Sequence, residues 1–279
     1  MIELYQGDCL EKMVEVPDHT VDMIFTDLPY GTTHNVWDKR ISLEELWKHY
    51  KRVLKSGGVV LLFSQQPFTT DLINSNRKWF RYEWVWQKSV PVGFLNANRM
   101  PLRSHENIVV FYEHLPTYNP QKTPGKPYTS KEKRYTTSYG RFKLTPTINR
   151  DGMRYPRDVV TFSNGGNAGK IHPTEKPVGL LEYMIRTYTD EGETVLDSCM
   201  GSGSCGVACQ HLGRNFIGIE KGAGYFEAAK KRIEEAEGVR KQHQLCAYDE
   251  EWAVIQAFAR LVKNGKMKEC SDFVKRMEV

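Results

Sequence analysis

The sequence has no long hydrophobic run and few cysteines. Its longest uninterrupted stretch of bulky apolar side chains is Val59–Phe63, which is far too short to cross a bilayer. The opening residues, MIELYQGDCLEKM, mix acidic and basic side chains and do not form a secretory signal. Six cysteines in 279 residues are too few for a disulfide scaffold. We therefore expect a protein of the reducing cytoplasm with no membrane association.

Neither sign of charge dominates the whole chain, but basic residues are concentrated in one region. The net charge is only +5, yet residues 121–170 contain eleven Lys or Arg against three Asp or Glu. A basic segment on a near-neutral body favours a polyanionic partner, most simply nucleic acid. A solvated loop would have the same composition.

The apolar pattern predicts an α/β protein interrupted by a segment of different composition. Residues 1–112 and 171–248 alternate strands with helices, whereas residues 113–170 are rich in Pro, Gly, Thr, Tyr, Lys and Arg, and residues 249–279 contain a last helix at 249–263. The predicted strands are Ile2–Tyr5, Val21–Thr26, Val59–Phe63, Glu83–Gln87, Ile108–Tyr112, Thr194–Asp197 and Asn215–Ile219. The predicted helices are Leu43–Leu54, Val178–Tyr188, Ser204–Leu212 and Tyr225–Ala236. We expect one doubly wound sheet assembled from both halves, with the basic insert between them.

A glycine turn follows the predicted strand Thr194–Asp197. Gly201 and Gly203 lie between this strand and a helix, where backbone N–H groups can approach a ligand closely. The next strand ends at Glu220, a position from which a carboxylate commonly binds ribose hydroxyls. The turn indicates a nucleoside cofactor, and Gly206 keeps a dinucleotide within the alternatives.

A second unusual loop, Asp27-Leu28-Pro29-Tyr30, follows the apolar strand Val21–Thr26. It combines a carboxylate, a turn whose φ is fixed by proline, and an aromatic ring. The Asp27 carboxylate and the Leu28 carbonyl can accept hydrogen bonds from one amino group, and Tyr30 can stack on a planar ring. The alternative is an ordinary turn at a strand end.

Three motifs together resemble one enzyme family. VDMIFTDLPYG at 21–31 is similar to the DPPY-type catalytic motif of amino-group DNA methyltransferases, and LDSCMGSGSCGVA at 196–208 to their S-adenosylmethionine loop. HPTEKPVGLLEYMI at 172–185 resembles the segment preceding that loop. GDC, WVWQK and RSHENIVVFY also look like family segments. The catalytic motif precedes the cofactor motif, as in the permuted beta class, and the resemblance covers about residues 2–112 and 171–235.

The resemblance implies a Rossmann-like methyltransferase fold and transfer of a methyl group from S-adenosylmethionine to adenine N6 in double-stranded DNA, after base flipping. Asp27, Leu28, Pro29 and Tyr30 would form the catalytic loop. Leu28 replaces the first proline of the family motif, but the backbone carbonyl used there is retained. Asp at the first position favours adenine; a cytosine N4 enzyme and an inactive DNA-binding relative are the alternatives.

The resemblance also implies a set of cofactor residues. Asp8 and Cys9 would contact the adenine of the donor, Glu220 its ribose and Lys176 its carboxylate. The full expected set is Asp8, Cys9, Asp27, His172, Thr174, Lys176, Asp197, Met200, Gly201, Ser202, Gly203, Glu220 and Lys221. Ser198 and Cys199 depart from the commoner Pro-Phe of the family. We expect no metal.

The basic insert fits a target recognition region that neutralises phosphates. The expected DNA-binding residues are Lys88, Lys122, Lys126, Lys131, Lys133, Arg134, Arg141, Lys143, Arg154 and Arg157. Trp84 and Trp86 are either core residues or DNA contacts, and the core is favoured. His105-Glu106 is interpreted as structural rather than as an acid–base pair. By resemblance, a restriction-modification context and a homodimer are further expectations.

Overall fold

The computed structural model describes residues 1–31, 39–130, 147–164 and 175–237. Its strands, in chain order, are β1 (Ile2–Gln6), β2 (Val21–Thr26), β3 (Leu54–Ser64), β4 (Phe80–Val92), β5 (Arg103–Phe111), β6 (Tyr128–Thr129), β7 (Ile148–Asn149), β8 (Val159–Phe162), β9 (Thr194–Asp197) and β10 (Asn215–Glu220). Its helices are α1 (Cys9–Lys12), α2 (Leu43–Val53), α3 (Phe68–Ser75), α4 (Val178–Tyr188), α5 (Ser204–Leu212) and α6 over residues 223–237. The helix predicted at 249–263 lies outside the described residues. None of the helices described is long and apolar enough to span a membrane.

Eight strands form the central sheet, in the order β1-β10-β9-β2-β3-β5-β4-β8. β5 runs antiparallel to its neighbours β3 and β4, and the other pairings are parallel. Strands β9 and β10, from the second half of the chain, lie between β1 and β2 from the first half. The predicted α/β sheet is confirmed, and its parallel strands share one carboxyl edge, where such sheets bind ligands.

The central strands are apolar at nearly every position because the sheet is covered on both faces. On β2, Met23 and Phe25 belong to the core beneath α4 and α5, whereas Ile24 belongs to the core beneath α2 and α3. Alternate side chains of a strand point to opposite faces, so a doubly covered strand needs apolar residues in succession. Trp84 and Trp86 on β4 are 4% and 2% exposed, as expected of core residues.

The boundary between α2 and β3 differs from the prediction. Ser56-Gly57-Gly58 is expected to end the helix, but α2 ends at Val53 and β3 begins directly at Leu54. A Cβ on Gly58 would lie 3.0 Å from the Asp22 carbonyl oxygen. Gly58 therefore serves a close approach of two strands at an irregularity in their register, rather than the end of a helix.

The outer half of the sheet is larger than the sequence predicts. β4 continues to Val92 rather than ending at Gln87. β8 arises from the region predicted as an insert and pairs in parallel with Val85–Lys88. A four-residue run such as Val159–Phe162 gives too little periodicity to distinguish a strand from a loop.

Gly206→Ala is expected to destabilise the fold by about 1–3 kcal/mol through overpacking. A Cβ at this position on α5 would lie 2.8 Å from Phe216 Cε1 and would also clash with Ile233 on α6. Urea unfolding of the variant measures the loss. Gly57→Ala is the matched control, since no atom lies within 4 Å of its Cβ position. Equal unfolding free energies for the two variants would contradict this close packing.

Candidate active site

The loops that follow β1, β2, β9 and β10 meet at the carboxyl edge of the sheet. Gly7 N donates to the Glu220 carbonyl at 3.0 Å, and Met200 N donates to the Ile219 carbonyl at 2.9 Å. Asp27 follows the neighbouring strand β2. The sheet order thus brings together loops that are far apart in the sequence.

Two glycines with positive φ shape the turn between β9 and α5. Gly201 has φ 51° and Gly203 has φ 76°, in the left-handed region that glycine adopts readily. A Cβ on Gly203 would lie 2.9 Å from Ala229 Cβ, whereas one on Gly201 would meet no atom within 4 Å. Gly203 is therefore required for packing, and Gly201 borders open space where a ligand can approach the backbone.

The side chains within this turn support it from below. Met200 and Ser202 are each 4% exposed. Arg232 on α6 donates to the Ser202 carbonyl at 3.2 Å and to its hydroxyl at 3.4 Å. A ligand above the turn would therefore meet mainly backbone.

Glu220 is fixed at the end of β10 by two backbone donors. Its Oε2 accepts from Gly201 N at 3.0 Å, and its Oε1 accepts from Gly222 N at 2.7 Å. Each carboxylate oxygen has a second lone pair, so the group can still accept two further hydrogen bonds. Vicinal hydroxyl groups present two such donors.

Asp8 and Cys9 lie beside this carboxylate at the start of α1. Asp8 caps α1 by accepting from Leu10 N at 3.0 Å and forms an ion pair with Lys221 at 3.0 Å. Cys9 is buried, and a hydrogen bond from the Cys199 thiol lowers the pKa of Cys9 although burial opposes this. Cys199, which departs from the family pattern, therefore forms a hydrogen bond with a second thiol.

Ser198, the other departure from the family pattern, is held by buried hydroxyl groups. Its Oγ lies 2.7 Å from the Tyr50 hydroxyl, and its N–H donates to Thr26 Oγ1 at 3.0 Å. The adjacent Asp197 is 6% exposed and accepts from Cys199 N at 3.1 Å. A polar network thus replaces the packing that a proline and a phenylalanine would provide.

Asp197→Asn is expected to reduce the pH dependence of stability. Burial raises the pKa of Asp197 from its ordinary 3.8 to about 7. The folded protein therefore holds a proton that the unfolded chain releases in this interval, so the contribution of Asp197 to stability falls as the pH rises through it. Urea unfolding at about pH 5 and about pH 8 measures the unfolding free energies of both proteins. Relative to the native protein, the variant is expected to be more stable at the higher pH than at the lower one. A difference that does not change with pH would contradict the protonated state.

The loop after β2 positions a carboxylate and an aromatic ring together. The Tyr30 hydroxyl donates to Asp27 Oδ1 at 2.9 Å. The Tyr30 ring lies 5.1 Å from the Phe68 ring at an angle of 30°, and Arg40 Nε donates to the Tyr30 carbonyl at 2.9 Å. Leu28 is 3% exposed, so its side chain anchors the turn in the core where the family motif has proline.

Asp27 is also part of a buried row of charged side chains whose charges alternate in sign. Lys176 donates to Asp27 Oδ2 and lies 3.5 Å from Glu106 Oε2, while Lys88 donates to Glu106 Oε1. The side chains of Lys88, Lys176 and Glu106 are 7%, 10% and 11% exposed, and that of Asp27 is 25% exposed. The two ammonium groups and two carboxylates of this row sum to zero charge, as burial of charged groups requires.

The neighbouring charges determine the protonation states of Asp27 and Glu106. Burial raises the pKa of Asp27, and the ammonium group of Lys176 opposes that rise. Burial would also raise the pKa of Glu106, but Lys176 and Lys88 hold it below its ordinary range. Burial lowers the pKa of Lys176, but the two carboxylates raise it above its ordinary value. Lys176 therefore stays charged and favours the ionised form of Asp27.

Glu106, which was interpreted from the sequence as structural, lies in this site. It lies on β5, opposite Trp86 of β4, at the end of the antiparallel strand that reaches the carboxyl edge. The sequence signal was a carboxylate two residues before the buried run Ile108–Phe111. Lys176, expected to bind a cofactor carboxylate, instead contacts Asp27 and Glu106; that expectation stays a prediction.

The expected DNA-binding residues have different surroundings. Lys88 is buried against Glu106, and Arg154 donates to the Gly152 carbonyl at 2.7 Å, so both stabilise structure here. Lys122 lies over the Tyr155 ring, while Lys126 and Arg157 are exposed. Lys131, Lys133, Arg134, Arg141 and Lys143 lie outside the described residues, as do the expected cofactor residues His172 and Thr174.

Comparison with known proteins gives consistent matches. A family model described as DNA methylase matches residues 21–231. The type II methyltransferase M.HinfI of Haemophilus influenzae is 26% identical over 261 residues, which cover 83% of this chain and 68% of that protein.

Solved structures agree with these matches. The crystal structure of an M1.HpyAVI–SAM complex superposes with a TM-score of 0.60 at 27% identity, covering 84% of this chain and 99% of that one. The cytosine-N4-specific PvuII DNA methyltransferase superposes with a TM-score of 0.61 over 86% of this chain and 92% of that one. At 15% identity, the PvuII likeness concerns the fold alone.

Proposed function

The chain belongs to the N6/N4 DNA methylase family, and from this premise we propose that it methylates adenine N6 in double-stranded DNA. The observation that carries the proposal is the placement of Asp27 and Tyr30 beside the glycine turn and Glu220 at one sheet edge. Asp at the first position of the catalytic loop favours adenine over cytosine within the family resemblance.

The residues present fit S-adenosylmethionine, the methyl donor of the family. Glu220 retains two acceptor positions for ribose hydroxyls, and Gly201 leaves open space above the turn. Asp8 and Cys9 lie beside the same region, where we expect them to contact the adenine of the donor. When bound, the donor supplies a methyl group activated by a sulfonium, so no protein nucleophile is needed.

The catalytic loop acts on the acceptor amine. The lone pair of an exocyclic amine is delocalised into the ring, which makes the nitrogen a poor nucleophile. Asp27 and the Leu28 carbonyl accept hydrogen bonds from its two protons, which favours a tetrahedral nitrogen with an available lone pair. Tyr30 offers a face on which the flipped base stacks, and its bond to Asp27 holds the carboxylate in place.

Lys176 keeps the accepting carboxylate ionised in this buried place. The methylated amine is a strong acid and releases its extra proton readily, so Asp27 need only accept a hydrogen bond and then receive or relay that proton. Lys176, Glu106 and Lys88 together carry a net charge of +1, which balances the charge of ionised Asp27.

The basic insert is the proposed contact with the DNA backbone. Lys126 and Arg157 are exposed on its described part and can neutralise phosphates. The homodimer expected from the family resemblance remains a prediction, as do the restriction-modification context and the set of site residues.

Incubation with S-adenosylmethionine and unmethylated DNA, followed by nucleoside mass spectrometry, is expected to yield N6-methyladenine. N4-methylcytosine would retain the mechanism and overturn the target base. Absence of any methylated base on DNA of varied sequence, with donor binding intact, would favour an inactive relative.

A further inference from the structure

The hairpin that joins β4 to β5 ends in an exposed apolar tip, residues 93–102. Phe94 is 81% exposed, Leu95 99%, Met100 55% and Leu102 38%. A group of large exposed apolar side chains marks an interaction site, whereas a single one needs no explanation. Neither the core nor the catalytic chemistry uses them.

The tip projects from the edge of the sheet that holds the candidate active site. β4 runs in the direction of β2, so its carboxyl end lies at the same edge as Asp27. At the base of the hairpin, the Lys88–Glu106 pair joins it to Lys176 and Asp27. Val92, directly before Gly93, pairs with Arg103, and Gln87 pairs with His105 two residues further along β5, so the tip begins close to the Lys88–Glu106 pair.

The base of the hairpin is secured, whereas its tip is not packed on the fold. Asn164, after β8, accepts from Val90 N at 2.9 Å and donates to the Val90 carbonyl at 2.9 Å. The turn itself bends at Gly93, whose φ is 94°. A stem held by Asn164 thus carries apolar side chains into solvent.

The charge of the hairpin favours nucleic acid as the occupant. From Trp84 to His105 the chain contains no carboxylate, and Arg99 and Arg103 are both exposed beside the apolar tip. Arginines bind phosphates, and apolar side chains can enter between base pairs and unstack them.

We propose that the hairpin tip inserts Phe94 and Leu95 into the DNA duplex beside the target base and helps to expel that base. This inference rests on the proposed function. The tip would occupy the space that the flipped base leaves, while Arg99 and Arg103 hold the adjacent phosphates. The cost of unpairing would then be offset by stacking on the protein.

The test compares the double variant Phe94→Ser/Leu95→Ser with the native protein on two duplexes. Both carry a site that the native enzyme methylates, and one has an abasic position opposite the target base. On the paired duplex the variant is expected to lose at least about tenfold in kcat, because opening of the base pair is no longer offset by insertion of the tip. On the abasic duplex the loss is expected to shrink to about twofold, since the target is already unpaired.

Arg99→Ala is the matched control. It removes a phosphate contact from the same tip, so it is expected to raise KM on both duplexes and to reduce the salt dependence of binding. An unchanged kcat for the double variant, or equal losses on both duplexes, would overturn the proposal. A change in oligomeric state by ultracentrifugation would instead assign the tip to contact with a second copy.

Failure of this inference is distinguishable from failure of the proposed function. If the native protein methylates cytosine, the same comparison around the target cytosine still tests the hairpin. If the native protein methylates nothing, the proposed function fails, and 2-aminopurine fluorescence in bound DNA then tests insertion directly. No rise in its emission with native protein, or an equal rise with the double variant, would overturn insertion.

Discussion

Asp27→Ala is expected to reduce the rate of methyl transfer at saturating donor by about 10³-fold or more. The substitution removes the acceptor for one amino proton and the partner of both Tyr30 and Lys176. Single-turnover methylation with excess enzyme measures the chemical step directly, and calorimetry measures donor affinity. Lys176 retains Glu106 as a counter-charge, so the variant should fold.

Two substitutions at the same position and its neighbour sharpen this result. Asp27→Asn keeps the shape and one accepting oxygen, and a loss of about 10²-fold is expected. Tyr30→Phe keeps the ring but removes the hydrogen bond to Asp27, and a loss of about tenfold is expected. An active Asp27→Ala protein would show that another group accepts the amine.

Lys176→Met is expected to lower the rate at neutral pH by about 10²-fold and to move the acidic limb of the pH–rate profile to higher pH. Without the ammonium group, the effect of burial on Asp27 is opposed only by the hydrogen bond from Tyr30, so the pKa of Asp27 rises further. More of the enzyme is then protonated, and hence inactive, at any given pH below the plateau. Rates from about pH 5 to about pH 9 under saturating donor measure the shift.

This profile separates two roles for Lys176. A lysine that binds the donor carboxylate would, when removed, raise KM for S-adenosylmethionine without moving the acidic limb. Lys176→Arg retains the charge and is expected to restore the native pH dependence in part. Lys88→Met is the matched control, because Lys88 contacts Glu106 but not Asp27, so its effect on the profile should be smaller.

The parts of the site that could be predicted are local in sequence. Asp27 to Tyr30 directly follow one apolar strand and Gly201 to Gly203 lie a few residues beyond another, and the strand–turn pattern alone places them at a sheet edge. Their relation to Glu220 follows from the spacing of one strand–helix–strand unit. Features of this kind can be predicted without knowing which strands are neighbours in the sheet.

Glu106 could not be predicted in this way because its role depends on register. Only the antiparallel pairing that sets it opposite Trp86, together with the placement of β5 beside β3, turns it towards Lys176. Lys88 was similarly interpreted from its charge and its place at a strand end, although its partner is eighteen residues away on another strand. The predicted boundary between α2 and β3 was wrong because Gly58, one of a glycine pair that usually ends a helix, here relieves a close strand contact.

The interleaving of the two halves has a consequence for biosynthesis. β2 is flanked by β3 and by β9, and β1 pairs only with β10 in the described sheet. As the chain leaves the ribosome, β1 has no neighbour and β2 has one open edge until the residues of β9 and β10 emerge. Such open edges can pair with other nascent chains until they are covered. The sheet edge that holds Asp27, the glycine turn and Glu220 is therefore complete only once synthesis has passed Glu220.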